Sequence, residues 1–187
     1  MLFYWQKTGA KIVVNHSNSE LEAEATAAEI ITNGGNAIVV KADVSQRDQV
    51  THLFDQAIAT FGKVDVLVNN AGTMISKKLK DSTQDDFTRL FDVNVRGIFN
   101  TLQEADSKLA DNGNIINFSS STAKLMMPTY SIYSATKAAV EQMTKVFSKE
   151  IGRGISVNAI APGATETAMF LEGTSSFSIC FVDLLGY

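Results

Sequence analysis

Short apolar runs alternate along this chain with longer stretches in which apolar positions recur every three or four residues. The runs fall at residues 12–14, 37–40, 64–68, 115–118 and 156–160, and as short apolar runs bounded by turn residues they read as strands. The helical periods between them predict parallel strands joined by helices. Ser17 precedes Glu20, and Ser45 precedes Asp48, at the spacing of a capping box, while Gly34 and Gly62 stand where helices should stop. Two longer helices are predicted over residues 83–109 and 131–152. The first carries Phe87, Leu90, Phe91, Val95, Ile98, Phe99 and Leu102 on one broad face. Such a face can cover the sheet alone, or cover the sheet and pack on a second subunit.

Composition narrows the class. With 187 residues, 45% hydrophobic and 19% charged, the chain suits a single domain spanning 1–187, with no repeat or linker to divide it. A net charge of -4 without a Lys and Arg cluster argues against nucleic acid and against a basic membrane patch. No apolar run reaches the roughly 18 residues of a membrane span, and the first residues lack the pattern of a secretory signal. Cys180 is the only cysteine, and His16 and His52 are the only histidines, so neither an internal disulfide nor a metal cluster is expected. Together these imply a cytoplasmic protein with small-molecule or subunit partners.

The chemistry gathers late in the chain. Tyr133 and Lys137 are four residues apart on the second long helix, hence on one face, and Ser120 lies thirteen residues before Tyr133. A phenol titrates near pH 10 and needs help to exchange protons at neutrality, which a neighbouring ammonium can give. Ser120 follows the 115–118 strand, at the carboxyl end where ligands settle in an open parallel sheet. Ser119 and Ser121 flank it, so composition alone does not choose among the three.

Asn69-Asn70-Ala71-Gly72, Asn94, Ser120, Tyr133-x3-Lys137 and Pro162-Gly163, in this order and spacing, resemble the short-chain dehydrogenase/reductase family over residues 9–169. The resemblance implies a Rossmann-like, doubly wound parallel α/β sheet. It also implies an oxidoreductase that reduces a ketone or aldehyde by hydride transfer, with Tyr133 as general acid, Ser120 orienting the substrate oxygen, and Lys137 and Asn94 in support. Asn94 would interrupt the long helix.

For the cofactor, the resemblance implies that Asp43 and Val44 border an adenine. Asn70, Ala71 and Gly72 would line the adenosine, Tyr133 and Lys137 the nicotinamide ribose, and Pro162, Gly163, Thr165 and Thr167 the carboxamide. The end of the 12–14 run reads Asn15-His16-Ser17, with no acidic residue to repel a 2'-phosphate. This favours NADP(H), with NAD(H) possible. A carbonyl or alcohol substrate and a homo-oligomer formed through 83–109 and 131–152 complete the expected partners.

The family pattern is incomplete at both ends. Thr8-Gly9-Ala10 is followed by Lys11-Ile12-Val13-Val14 where further glycines would stand. The expected sheet therefore lacks its first strand, the glycine-rich loop and the last strand, and residues 174–187 form an atypical apolar tail. Two or three missing charge-assisted bonds to a pyrophosphate, at about 1.5–3 kcal/mol each, would weaken cofactor binding by roughly 4–6 kcal/mol. The alternative function is thus a truncated, non-catalytic chain that serves as a binding or regulatory subunit, or has no independent function.

Overall fold

The computed structural model describes residues 9–163 and the strand at 182–185. The chain forms two compact units that meet in sequence at Val64 and Asp65.

In the first unit, β1 (Lys11–His16) and β2 (Asn36–Lys41) run parallel in register from Lys11↔Asn36 to His16↔Lys41. The connection contains α1 (Glu20–Thr32), and α2 (Arg47–Phe61) follows β2. Ile12 and Val14 alternate inward on β1 and pack with Ala23, Ala27 and Ile30 of α1. The period of two on the strand meets spacings of four and three on the helix. Gly34 closes the turn after α1 at a φ of 83°, and Gly62 caps α2 at 89°, a backbone region that glycine enters without steric cost. Both predicted helix stops are therefore present.

The predicted capping boxes are not. Helix α1 is capped at Ser19 rather than Ser17, and α2 at Gln46 rather than Ser45, with no side-chain cap bond at either. Asp43 takes over at the second site, where its carboxylate accepts from the Ser45 amide at 2.9 Å. A local turn made by Asp competes with the helix cap and prevails here.

In the second unit, β3 (Val64–Asn69), β4 (Leu109–Phe118), β5 (Ser156–Pro162) and β6 (Val182–Leu185) form one sheet in that order. Strands β4 and β5 are parallel, from Asn114↔Ser156 to Phe118↔Ile160. Within the atypical 174–187 tail, β6 pairs antiparallel with β5, Ala159 opposite Leu185 and Pro162 opposite Val182. It is not a further parallel strand. The open edge of β5 offers hydrogen-bonding groups that a short aliphatic segment can satisfy in either direction. The rest of the 174–187 tail lies outside the described residues.

The expected helix over 83–109 is built in three pieces: α3 (Gln84–Phe91), a π-helical turn (Asp92–Arg96) and α4 (Gly97–Lys108). A capping box opens it, Thr83 accepting from the Asp86 amide while Asp86 accepts from the Thr83 amide. Lys77 pairs with the same carboxylate at 2.7 Å and, as the largest influence, holds Asp86 down at about 2. Leu90, Ile98 and Leu102 are buried, whereas Phe87 and Phe99 remain about half exposed. Past β4 come the single turn α5 (Thr122–Leu125) and the long α6 (Ser131–Glu150). Tyr133, Thr136, Lys137, Val140, Glu141 and Thr144 make its buried face.

Candidate active site

Asn94 is set by the π-turn. One extra residue in that turn rotates its side chain off the helix surface, and it is 1% exposed. Its Oδ1 accepts from the Thr73 amide at 2.8 Å, and its Nδ2 donates to the Thr73 carbonyl at 2.9 Å and to Thr136 Oγ1 at 3.1 Å. The loop after β3 is thereby fixed to α6. Thr73 and Thr136 carried no signal in the sequence, because neither belongs to the resemblance and a helix threonine is unremarkable until its partner is known.

Lys137 is 6% exposed, and its Nζ donates to the Phe118 carbonyl at 2.8 Å. Burial lowers its pKa to about 8. The ammonium lies 5.8 Å from the centre of the Tyr133 ring. A Cβ at Gly72 would stand 3.4 Å from Asn94 Oδ1 and 3.6 Å from Lys137 Nζ. Glycine therefore leaves a cradle in front of both groups.

Tyr133 is 8% exposed and packs with Leu90 and Tyr130. Its phenol is raised above its ordinary value by burial, while a hydrogen bond with Ser120 pulls the other way. Burial is the largest influence on this phenol, and the Lys137 ammonium beside it is held by the Phe118 carbonyl. Desolvation outweighs an ammonium held against a backbone carbonyl.

The three serines part company here. Ser119 turns inward, its hydroxyl 2.9 Å from Glu141 Oε1 and 3.2 Å from the Lys137 carbonyl. Ser121 begins α5. Ser120 accepts from Thr122 Oγ1 at 2.9 Å, leaving its own proton for Tyr133 or a ligand. Asn70 and Ala71 are exposed beside half-buried Gly72. Pro162 closes β5, its carbonyl accepting from the Ser121 amide at 3.0 Å, and half-buried Gly163 follows. Thr165 and Thr167 lie outside the described residues.

In the first unit, the Asn15 amide donates to the Val40 and Ala42 carbonyls at 3.1 and 2.9 Å. It braces the end of β2, and its two protons are engaged there. His16 is buried with Nδ1 unpartnered, Ser17 is exposed, and Asp43 and Val44 are half-buried at the start of the next turn. An orphaned buried ring nitrogen at the carboxyl end of a parallel strand is a feature that fits a polar ligand.

A cavity of 380 Å³, which Tyr133 does not line, lies between Leu79, Phe87 and Phe91 on one side and Ile132 and Ala135 on the other. Ala135 is exposed, whereas Ile132 also packs against the cluster of Leu90, Tyr130 and Tyr133. We assign the chemistry by side-chain geometry and not to this groove. Among the described residues there is no group of three metal-ligating side chains, and no helix is long and apolar enough to cross a membrane.

An α/β fold with polar side chains gathered at the carboxyl end of a parallel strand defines the ligand end of an open, nucleotide-binding type of sheet. The family profile described as enoyl-(acyl carrier protein) reductase matches residues 4–180. The chain is 43% identical over 166 residues to a short chain dehydrogenase, claC, of Passalora fulva, covering 88% of this chain and 62% of that protein. It is 44% identical to the versicolorin reductase stcU of Emericella nidulans, with 88% and 63% covered. A crystal structure of a short chain dehydrogenase from Burkholderia cenocepacia in complex with NADP superposes with a TM-score of 0.85 at 34% identity, covering 89% of this chain and 69% of that one. The chain belongs to the short-chain dehydrogenase/reductase family and has its Rossmann-like fold. It spans about 62% of the length of the curated relatives it matches.

Proposed function

We propose that this chain carries the catalytic residues of an NADP(H)-dependent carbonyl reductase in which Tyr133 is the general acid. The observation that carries this reading is Lys137 Nζ, 5.8 Å from the centre of the Tyr133 ring and beside Asn94 at Gly72, with the Ser120 proton left free to donate. NADPH, when bound, supplies the hydride that reaches the carbonyl carbon. The carbonyl π electrons move to oxygen, and the Tyr133 phenol gives that oxygen its proton, so a ketone or aldehyde leaves as an alcohol. Ser120 donates to the same oxygen and fixes its position. A phenol raised by burial stays protonated at neutral pH, as an acid must before it acts.

Lys137, about 8, is cationic at pH 7 and can steady the phenolate left behind. Asn94 would hold the Gly72 cradle open through Thr73 and Thr136. Gly72, Asn70 and Ala71 would line the cofactor in the second unit, with Pro162, Gly163, Thr165 and Thr167 at its nicotinamide end. In the first unit, Asp43 and Val44 would border the adenine. His16 and Ser17 supply donors for a 2'-phosphate, and the NADP complex named above supports that preference. The versicolorin reductase name of a relative supports the direction of reduction. The exposed rings of Phe87 and Phe99, with half-exposed Val146 on α6, support association of copies through these helices, which sedimentation would test.

The test is NADPH binding and NADPH consumption with a panel of ketones and aldehydes. Saturable binding and turnover that Y133F abolishes are expected. Absence of binding at millimolar NADPH would overturn this reading and leave the non-catalytic one.

A further inference from the structure

We propose that Glu141 is a positioning residue, holding Ser120 against Tyr133 through the hydroxyl of Ser119. The proposal rests on the reductase reading above. Glu141 lies one helical turn beyond Lys137 on the buried face of α6 and is 8% exposed. Its Oε1 is 2.9 Å from Ser119 Oγ. Ser119 is 4% exposed and is tied on its other side by its own amide, which donates to the Ile160 carbonyl of β5 at 2.8 Å. The residue just before Ser120 is thus gripped from the sheet by its backbone and from the catalytic helix by its side chain. A peptide bond then carries that grip to Ser120.

A carboxylate is a costly way to fill this place. A buried charge must be compensated, and an apolar side chain of similar volume would hold a helix to a strand at lower cost. What leucine or methionine there could not do is accept a bond from Ser119. That hydroxyl has one proton and two acceptors, Glu141 Oε1 at 2.9 Å and the Lys137 carbonyl at 3.2 Å. Without the carboxylate its proton turns wholly to the Lys137 carbonyl, and the tie from Glu141 to the residue before Ser120 is lost. A charge-assisted acceptor also makes the closer bond the stronger one.

The experiment compares E141L, E141Q and S119A with the parent protein. E141L should lower kcat about tenfold to a hundredfold, the effect of a misplaced catalytic group, with KM for NADPH unchanged and thermal stability held or raised. E141Q keeps an acceptor oxygen and should bring kcat back to within about threefold of the parent. S119A should resemble E141L, and the S119A/E141L pair should be no worse than either, since both cut one connection.

A second readout needs no turnover: ionisation of Tyr133 followed by NMR of ring-labelled tyrosine, with Y133F to assign the signal. Ser120, Tyr130 and Lys137 face this phenol. Loss of the Ser120 bond should move its titration upward in E141L and S119A but not in E141Q. Unchanged titration and unchanged kcat in E141L would overturn the proposal. If E141L does not fold, S119A decides by the same two measures. If the parent shows no hydride transfer, the reductase reading fails, while the tyrosine titration still decides the role of Glu141.

Discussion

The inner face of α6 and the end of β1 both bury polar side chains, and they treat them in opposite ways. Along the buried face of α6 four side chains are paired across to the sheet and its loops: Thr136 with Asn94, Lys137 with the Phe118 carbonyl, Glu141 with Ser119, and Thr144 with Asn117, which also accepts from Asn69 at 2.8 Å. Among the described residues of the helix, only the Ser134 hydroxyl beside that face stays buried and unpartnered. At the end of β1, Asn15 is fully engaged with backbone, yet the neighbouring His16 keeps Nδ1 buried and unpartnered. A paired buried group holds geometry at small net cost, whereas an orphaned one costs stability until something binds it. The first region is built to be rigid, and the second is left one bond short.

The sharpest break in this comparison comes from Y133F, which removes one hydroxyl from the rigid region and keeps the ring. Hydride transfer should fall about 10²–10⁴-fold while NADPH affinity, read by fluorescence, stays level. Next is K137M. The folded-state pKa of about 8 lies below the ordinary 10.5, so burial of this ammonium costs stability at every pH below about 8. The cost fades as pH rises from 8 toward 10.5. At pH 7 the variant should gain up to about 3 kcal/mol, less about 1 for the lost bond to Phe118, and the gain should vanish near pH 11 in parallel thermal melts. For the same reason, carbonyl reduction by the parent should decline above about pH 8, as Lys137 loses its charge.

Asn117→Ala should cost about 1–3 kcal/mol in denaturant melts, because Asn69 and Thr144 lose their shared partner deep in the core. His16→Leu sharpens the contrast. With no bond to break, its stability should change by less than about 1 kcal/mol, while NADPH binding weakens about tenfold and NADH binding does not. A large stability loss in His16→Leu would show that the two regions are alike after all. The smallest effect is Thr83→Ala, about 1 kcal/mol for the lost cap.

Much of this was legible in the order of residues. Strand positions follow from short β-branched runs, and the stops at Gly34 and Gly62 follow from a backbone that glycine adopts without strain. The capping boxes at Ser17 and Ser45 misled because a capping signal is local, and Asp43 made a competing turn that spacing does not reveal. The box that does form is at Thr83 and Asp86, at the same Ser/Thr-x-x-Asp spacing as Ser45 and Asp48, so spacing does not tell the two apart. Strand β6 escaped notice because an edge pairs with whatever aliphatic segment reaches it.

Sequence alone determined the class of fold and singled out the candidate site residues, since periodicity, and a tyrosine and lysine four residues apart, are properties of the chain itself. Only tertiary structure decided that Ser119 turns inward to the Lys137 carbonyl, that Lys137 is held by the Phe118 carbonyl, and that Glu141 grips Ser119. Those choices depend on burial and on partners 18 to 22 residues away in the chain, and neither quantity exists until the helix is laid against the sheet.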